Sequence, residues 1–186
     1  MVPEAEMRRS GMGHEPENGE GPVAQLSMRH KVFGGFVLHE RDGAIVSVDF
    51  GAGEDAAADE PTPLLRRTAA ALARYFDGDA LADDLPLAPA GTEYQRRVWD
   101  HLRAIPRGQT RTYAEVARAV GGSARSVGGA NRANPIPILI PCHRVRAADG
   151  LGGYCGSSAE GWGLAMKRRL LTLEGAAFGE RTRRGI

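Results

Sequence analysis

Apolar and polar positions along the chain change period several times, and each change predicts an element. From Lys31 to Phe50 the text KVFGGFVLHERDGAIVSVDF holds two β-rich runs flanking Asp42-Gly43. That dipeptide between two strands predicts a two-residue hairpin, because both turn positions need positive φ. Thr62-Pro63 then predicts a helix start, with an N-cap residue followed by proline at the first helical position. Leu65, Thr68, Leu72 and Tyr75/Phe76 recur at helical spacing, and Gly78 supplies the stop. The acidic, proline-bearing stretch 79–90 (DALADDLPLAPA) predicts a linker.

Signals are denser beyond it. Thr92-Glu93-Tyr94-Gln95 fits a capping box, and Tyr94, Val98 and Leu102 line one face of the helix it opens. Thr112-Tyr113-Ala114-Glu115 is a second capping box, heading a short helix that Gly121-Gly122 breaks. Ser123 can cap a third helix, which Asn134-Pro135 closes. Two short helices joined by a glycine turn predict a helix-turn-helix. The apolar run IPILI (136–140) is too short for a helix and predicts a buried strand. Leu164 to Glu174 predicts a last amphipathic helix with Gly175 at C′.

Composition narrows the class. The 186 residues are 42% apolar and 25% charged, as in ordinary globular proteins. No apolar run is long enough for a membrane span, and the polar start MVPEAEMRRSGMGHEPENGEGP has no secretory h-region. The two cysteines, Cys142 and Cys155, are too few for a disulfide scaffold, so the expected compartment is the cytoplasm. The net charge of +1 hides an asymmetry: residues 1–90 carry 8 Lys+Arg against 16 Asp+Glu, and residues 91–175 carry 13 against 6. Only the second half is suited to a polyanion; the alternative is a solvated arginine-rich face. The acidic half has no cysteine and only His14, His30 and His39, which does not make a four-ligand Cys/His zinc site.

The chemistry concentrates in Pro141-Cys142-His143-Arg144-Val145. A cysteine attacks as thiolate, which needs a nearby base or positive charge. His143 and Arg144 can supply both, although neighbours on a strand face opposite ways and direct contact requires a bend. By itself a Cys-His pair reads more often as a buried structural cysteine.

Asn134-Pro135 followed by ILIPCHRV, with SARSVGGANRANP before it and GGY after it, resembles the O6-alkylguanine-DNA alkyltransferases. The upstream text GTEYQRRVWDHLRAIPRGQTRTYAEVARAVG is similar to the same family's helical lead-in. The resemblance is close over 91–175 and weaker over 30–90. It implies an α+β protein with a small RNase H-like α/β domain (25–86) and a winged-helix-like catalytic domain (87–176); the polar, non-periodic residues 1–24 read as a disordered tail and 177–186 as a basic tail.

It also implies a function: irreversible, stoichiometric transfer of alkyl groups from O6 of guanine, and O4 of thymine, in double-stranded DNA to Cys142. No cofactor or metal is implied, and the protein would act as a monomer that binds the minor groove of the duplex and flips the damaged base out. By the resemblance His143 is the base, acting through a water, and Glu174 orients it. Tyr113 handles the 3′ phosphate and the flipped base, and Arg125 fills the vacated stack, with Arg132 as the next candidate. Ala130 belongs to the recognition helix, whose small residues permit close approach to a narrow groove. Asn134, Val145, Tyr154 and Cys155 belong to the substrate pocket.

The chain departs from the family in a shorter turn before Arg125, a shorter GLGGY loop and an insertion at 157–162. Two other classes compete: a lesion-binding protein without transfer, against which Cys142 argues, and a helix-turn-helix transcription factor. Bulky polar readers, which major-groove recognition needs, are scarce on the recognition helix.

Overall fold

The computed structural model describes residues 21–50, 60–81, 84–153 and 161–178. The chain divides into two compact units between Ala90 and Gly91. The fold is α+β. The expected tails lie outside the described residues except at their inner ends; Gly21–Val23 precede the first strand, and Ala24 already belongs to it.

The first unit is a three-stranded antiparallel sheet in the order β1 (Ala24–His30), β2 (Gly34–Arg41), β3 (Ala44–Phe50), covered by helix α1 (Pro63–Phe76). The hairpin turns at Asp42 (φ 51°) and Gly43 (φ 75°), the two positive values its sequence predicts. β1 escaped the sequence reading; its signal is the weak alternation of Ala24, Leu26 and Met28. Thr62 caps α1, accepting from Leu65 N at 3.1 Å, and donates its own hydroxyl to the buried Glu40 carboxylate on β2. Leu65, Leu72, Tyr75 and Phe76 of the helix and Phe36, Leu38, Ile45 and Val48 of the sheet are all buried, and Phe33 and Phe36 stack on Phe76 at 4.5 and 5.1 Å.

The 79–90 stretch is not wholly a linker. Ile45 N donates to Pro86 O and Ala88 N to Ile45 O, both at 2.9 Å. β3 is an edge strand, and its outward backbone groups take the passing chain as a partner.

The second unit begins with α2 (Glu93–Arg103), whose capping box pairs Thr92 with Gln95. A two-residue strand β4 (Arg111–Thr112) leads into α3 (Tyr113–Val120), where Thr112 and Glu115 form the second box. Gly121 and Gly122, at φ 83° and 101°, turn the chain into α4 (Ala124–Arg132), capped by Ser123. β5 (Val145–Arg146) pairs in parallel with β4, and α5 (Trp162–Leu173) ends with Gly175 at φ 68°. Both caps and stops therefore follow the polar signals of the sequence. No helix of the described residues is long and apolar enough to cross a membrane.

Candidate active site

The segment that carries the chemistry is not the strand its apolar composition predicts. Residues 136–140 form a tight turn, closed by Ile140 N donating to Ile136 O at 2.9 Å. Pro137 within the run, and Pro135 and Pro141 on either side of it, have no N–H to give a ladder, and Ile138 sits at φ 74°, a region β-branched residues rarely adopt. Asn134 over-determines this turn. Its Oδ1 accepts from Ile136 N (3.0 Å) and its Nδ2 donates to Ile140 O (2.9 Å). The backbone partners fix which amide atom is which. Asn134 therefore staples the turn that delivers the cysteine, a more local role than joining helices to a strand.

Pro141 (φ −80°, ψ 62°) then makes an inverse γ-turn, with Cys142 N donating to Ile140 O at 2.8 Å. Cys142–Arg144 form one turn of 3₁₀ helix. This supplies the bend that strand geometry lacks. The Cys142 thiol is 3% exposed.

His143 is completely buried, and its Nε2 lies 3.0 Å from Glu174 Oε1. Glu174 is the C-cap of α5, so the end of that helix aims the carboxylate at the 3₁₀ turn. Arg144 completes the cluster: Nε and Nη2 donate to the Glu174 carboxylate at 2.8–3.2 Å, and Nη1 donates to Ile105 O at 2.6 Å. The sequence reading held Arg144 as a positive charge for the thiolate; its guanidinium instead neutralises Glu174. Only folding brings residue 174 to residue 144, so adjacency to Cys142 was misleading.

The electrostatics follow from this packing. Burial alone would raise the Glu174 carboxyl, but the hydrogen bonds from His143 and Arg144 overcome it and hold the group far below the usual carboxylate range. Burial pushes His143 below its ordinary value. The Glu174 hydrogen bond and charge oppose that shift, while the charges of Arg144 and Lys167 reinforce it. The imidazole is therefore neutral at physiological pH. With Nε2–H donated to an ionised carboxylate, the basic lone pair belongs to Nδ1.

Tyr113, the first residue of α3, donates its hydroxyl to Gly153 O at 3.3 Å. Burial and the negative charge of a Cys142 thiolate raise its pKa, against a lowering contribution from Asn131. The phenol stays protonated beside the thiol. Lys167 was missed by the sequence reading. It is fully buried, and its Nζ donates to Val145 O and Leu151 O, both at 2.6 Å, and to Gly153 O at 3.1 Å, standing 5.8 Å from the Tyr113 ring centre. Its signal was its place on the apolar stripe Gly163, Met166, Lys167, Leu170, Leu171 of α5. It ties the loop after β5 to the helix that carries Glu174.

The candidate nucleic-acid residues sort by face. Arg125, Gly128, Gly129 and Arg132 share one side of α4, and both arginines are exposed. A methyl group added at Gly128 or Gly129 would meet no atom within 4 Å. The helix thus presents two guanidiniums bracketing bare backbone. Ala130 is not on that face: it is 2% exposed, and its carbonyl accepts from Trp99 Nε1 at 2.9 Å, so its small size serves packing against α2. Tyr154, Cys155 and residues 157–160 of the insertion lie outside the described residues.

Fold and site together define a class: a nucleophilic-cysteine protein on a helix-turn-helix scaffold. Residues 93–176 match the family model described as 6-O-methylguanine DNA methyltransferase, DNA binding domain. A methylated-DNA–protein-cysteine methyltransferase of Methanosarcina acetivorans is 45% identical over 120 residues, 63% of this chain and 73% of that one. The crystal structure of the Mycobacterium tuberculosis O6-methylguanine methyltransferase superposes with a TM-score of 0.66 at 32% identity, covering 83% of this chain and 93% of that chain. The same organism's protein solved in complex with DNA gives a TM-score of 0.65 at 34% identity, over 80% and 91% of the two chains. The chain belongs to the O6-methylguanine-DNA methyltransferase family.

Proposed function

We propose that this protein repairs O6-alkylated guanine in double-stranded DNA by moving the alkyl group irreversibly onto its own Cys142. The observation that carries the reading is the buried Cys142 beside His143, which burial holds neutral and Glu174 orients. In the step, the Cys142 proton passes to His143 Nδ1 through a water. The sulfur attacks the alkyl carbon in line, the carbon–O6 bond breaks, and guanine leaves with the bonding electrons and gains a proton. A thioether remains, so each molecule acts once. Tyr113, protonated and next to the thiol, donates a hydrogen bond to the leaving base. Asn134 and Val145 border the pocket around it, and thymine O4 is a second leaving oxygen of the same kind.

The lesion must leave the stack, at a cost of a few kcal/mol. Arg125 fills the gap it leaves, and Arg132 on the same face contacts phosphate. The bare Gly128-Gly129 backbone admits a narrow minor groove. The working protein is a monomer of the cytoplasm, where its thiol stays reduced.

Intact-mass spectrometry after mixing with an O6-methylguanine duplex tests the reading. One methyl group per molecule is expected, and peptide mapping should place it on Cys142. No mass gain, or a modification on Cys155, overturns it.

The glycine face makes a separate prediction with opposite signs for stability and binding. Gly129→Ala should stabilise α4 by about 0.5–1 kcal/mol, because the helical glycine is replaced without a clash. The same methyl group should weaken affinity for duplex DNA. Thermal melting and a binding titration on one preparation check both signs, and a gain in both would remove Gly129 from the contact face.

A further inference from the structure

Helix α4 is poorly equipped to fix its own orientation by packing. Its sequence ARSVGGANR contains two glycines and two alanines, and only Val127, Ala130 and Asn131 are buried. With so little side-chain volume to interlock with its neighbours, the rotation of this helix, which carries Arg125 and Arg132, depends also on polar contacts from α2. Near the end of α4, Trp99 Nε1 donates to the Ala130 carbonyl at 2.9 Å. At its start, Tyr94 Oη lies 2.7 Å from Ser126 Oγ. The two fixed points are about one helical turn apart.

The Tyr94 contact joins a local network. Ser126 Oγ lies 2.8 Å from Ser123 O, and it accepts from Ser123 N at 2.8 Å, so the hydroxyl that Tyr94 meets is itself fixed to the cap of α4. The pair also occupies the space against the turn: a Cβ at Gly122 would stand 2.7 Å from Tyr94 Oη and 2.8 Å from Ser126 Oγ. Gly122, at φ 101°, lets the short turn close over the tyrosine hydroxyl. Arg125 is the residue next to this anchor, is exposed, and forms no hydrogen bond or ion pair among the described residues. Its own side chain does not fix where it points.

We propose that Tyr94 is a positioning residue for lesion extrusion: its hydroxyl, through Ser126, sets the rotation of α4 that aims Arg125 at the duplex. This rests on the alkyl-transfer reading above. Tyr94 lies outside the chemistry of Cys142, so its effect should appear only where a base must be flipped.

The test compares two substrates in four proteins: wild type, Tyr94→Phe, Arg125→Ala and the double variant. Tyr94→Phe keeps the ring and removes the hydroxyl. Its transfer rate from an O6-methylguanine duplex should fall about threefold to tenfold, the range for one lost hydrogen bond. Its rate with free O6-benzylguanine should be unchanged. The double variant should be no slower on the duplex than Arg125→Ala, because the tyrosine acts through that arginine. Equal slowing on both substrates, an unchanged duplex rate, or additive losses in the double variant would each overturn the proposal. Wild-type uptake from either substrate is the internal check: its absence defeats the functional reading itself, whereas normal uptake with an unaltered rate ratio defeats only the role of Tyr94.

Discussion

Cys142→Ala gains no mass from an O6-methylguanine duplex, at any time and any protein excess, while it still binds that duplex. The expectation is all-or-none because the sulfur is the only atom the reaction consumes. Alanine keeps the backbone of the 3₁₀ turn, and the Asn134 staple and the inverse γ-turn at Pro141 make their hydrogen bonds through atoms the substitution does not touch. The thiol is nearly fully buried, so its loss should cost about 1 kcal/mol, the usual size for a small core truncation. DNA affinity rests on the α4 face and should stay within about twofold, below the energy of one ordinary hydrogen bond. Two measurements decide the matter: intact mass after incubation, and a binding titration with the damaged duplex. Residual alkylation of the variant would move the acceptor elsewhere, with Cys155 the first place to look.

Glu174→Gln should be the most damaging conservative change in the second unit. The carboxylate is completely buried and is shared by His143 and by the fork of Arg144. Glutamine keeps the shape but leaves the buried Arg144 guanidinium without its counter-charge, a loss of about 3–5 kcal/mol when one partner of a buried pair is removed. The catalytic effect should be a further loss of about 10²–10⁴ in transfer rate, the usual contribution of a positioned general base.

The pH profile separates the two effects. Glu174 favours the charged form of His143, against the burial that disfavours it. In the glutamine variant the His143 pKa falls further, so the acid limb of the rate profile moves to lower pH while the plateau drops. A limb that stayed in place would mean that His143 does not govern the rate.

Stability of the wild type should follow the same groups. Both folded-state pKa values lie below their unfolded values. Their contribution is therefore present at neutral pH and lost as pH falls, first through the ordinary histidine range near 6.5 and then through the carboxylate range near 4.3. Denaturant midpoints of the wild type should decline below about pH 6.5 with the histidine part, and the carboxylate part should set in only below about pH 4.3 and continue down to about pH 2. In Glu174→Gln the carboxylate part should be absent.

Local signals carried much of the fold. Asp42-Gly43 specified its hairpin because positive φ at two successive positions is a property of the turn itself. Thr62-Pro63, Thr92/Gln95, Thr112/Glu115 and Gly175 specified helix ends because capping satisfies donors and acceptors within a few residues. The α+β class, the helix-turn-helix and the PCHRV motif were legible for the same reason: their determinants are contiguous.

What failed was what depends on neighbours distant in sequence. IPILI is apolar enough for a strand, but prolines and the Asn134 staple bend it into a turn. Arg144 stands beside the nucleophile in sequence and belongs to Glu174 in space. Lys167 looked like one more charge on a helix until three carbonyls converged on its buried ammonium group. Ala130 had the size for a groove contact, yet its side of α4 faces Trp99. A sequence states which groups are present and how the backbone turns between them. Which charges neutralise each other, and which side of a helix remains for DNA, is decided when elements separated by tens of residues compete for the same buried partners.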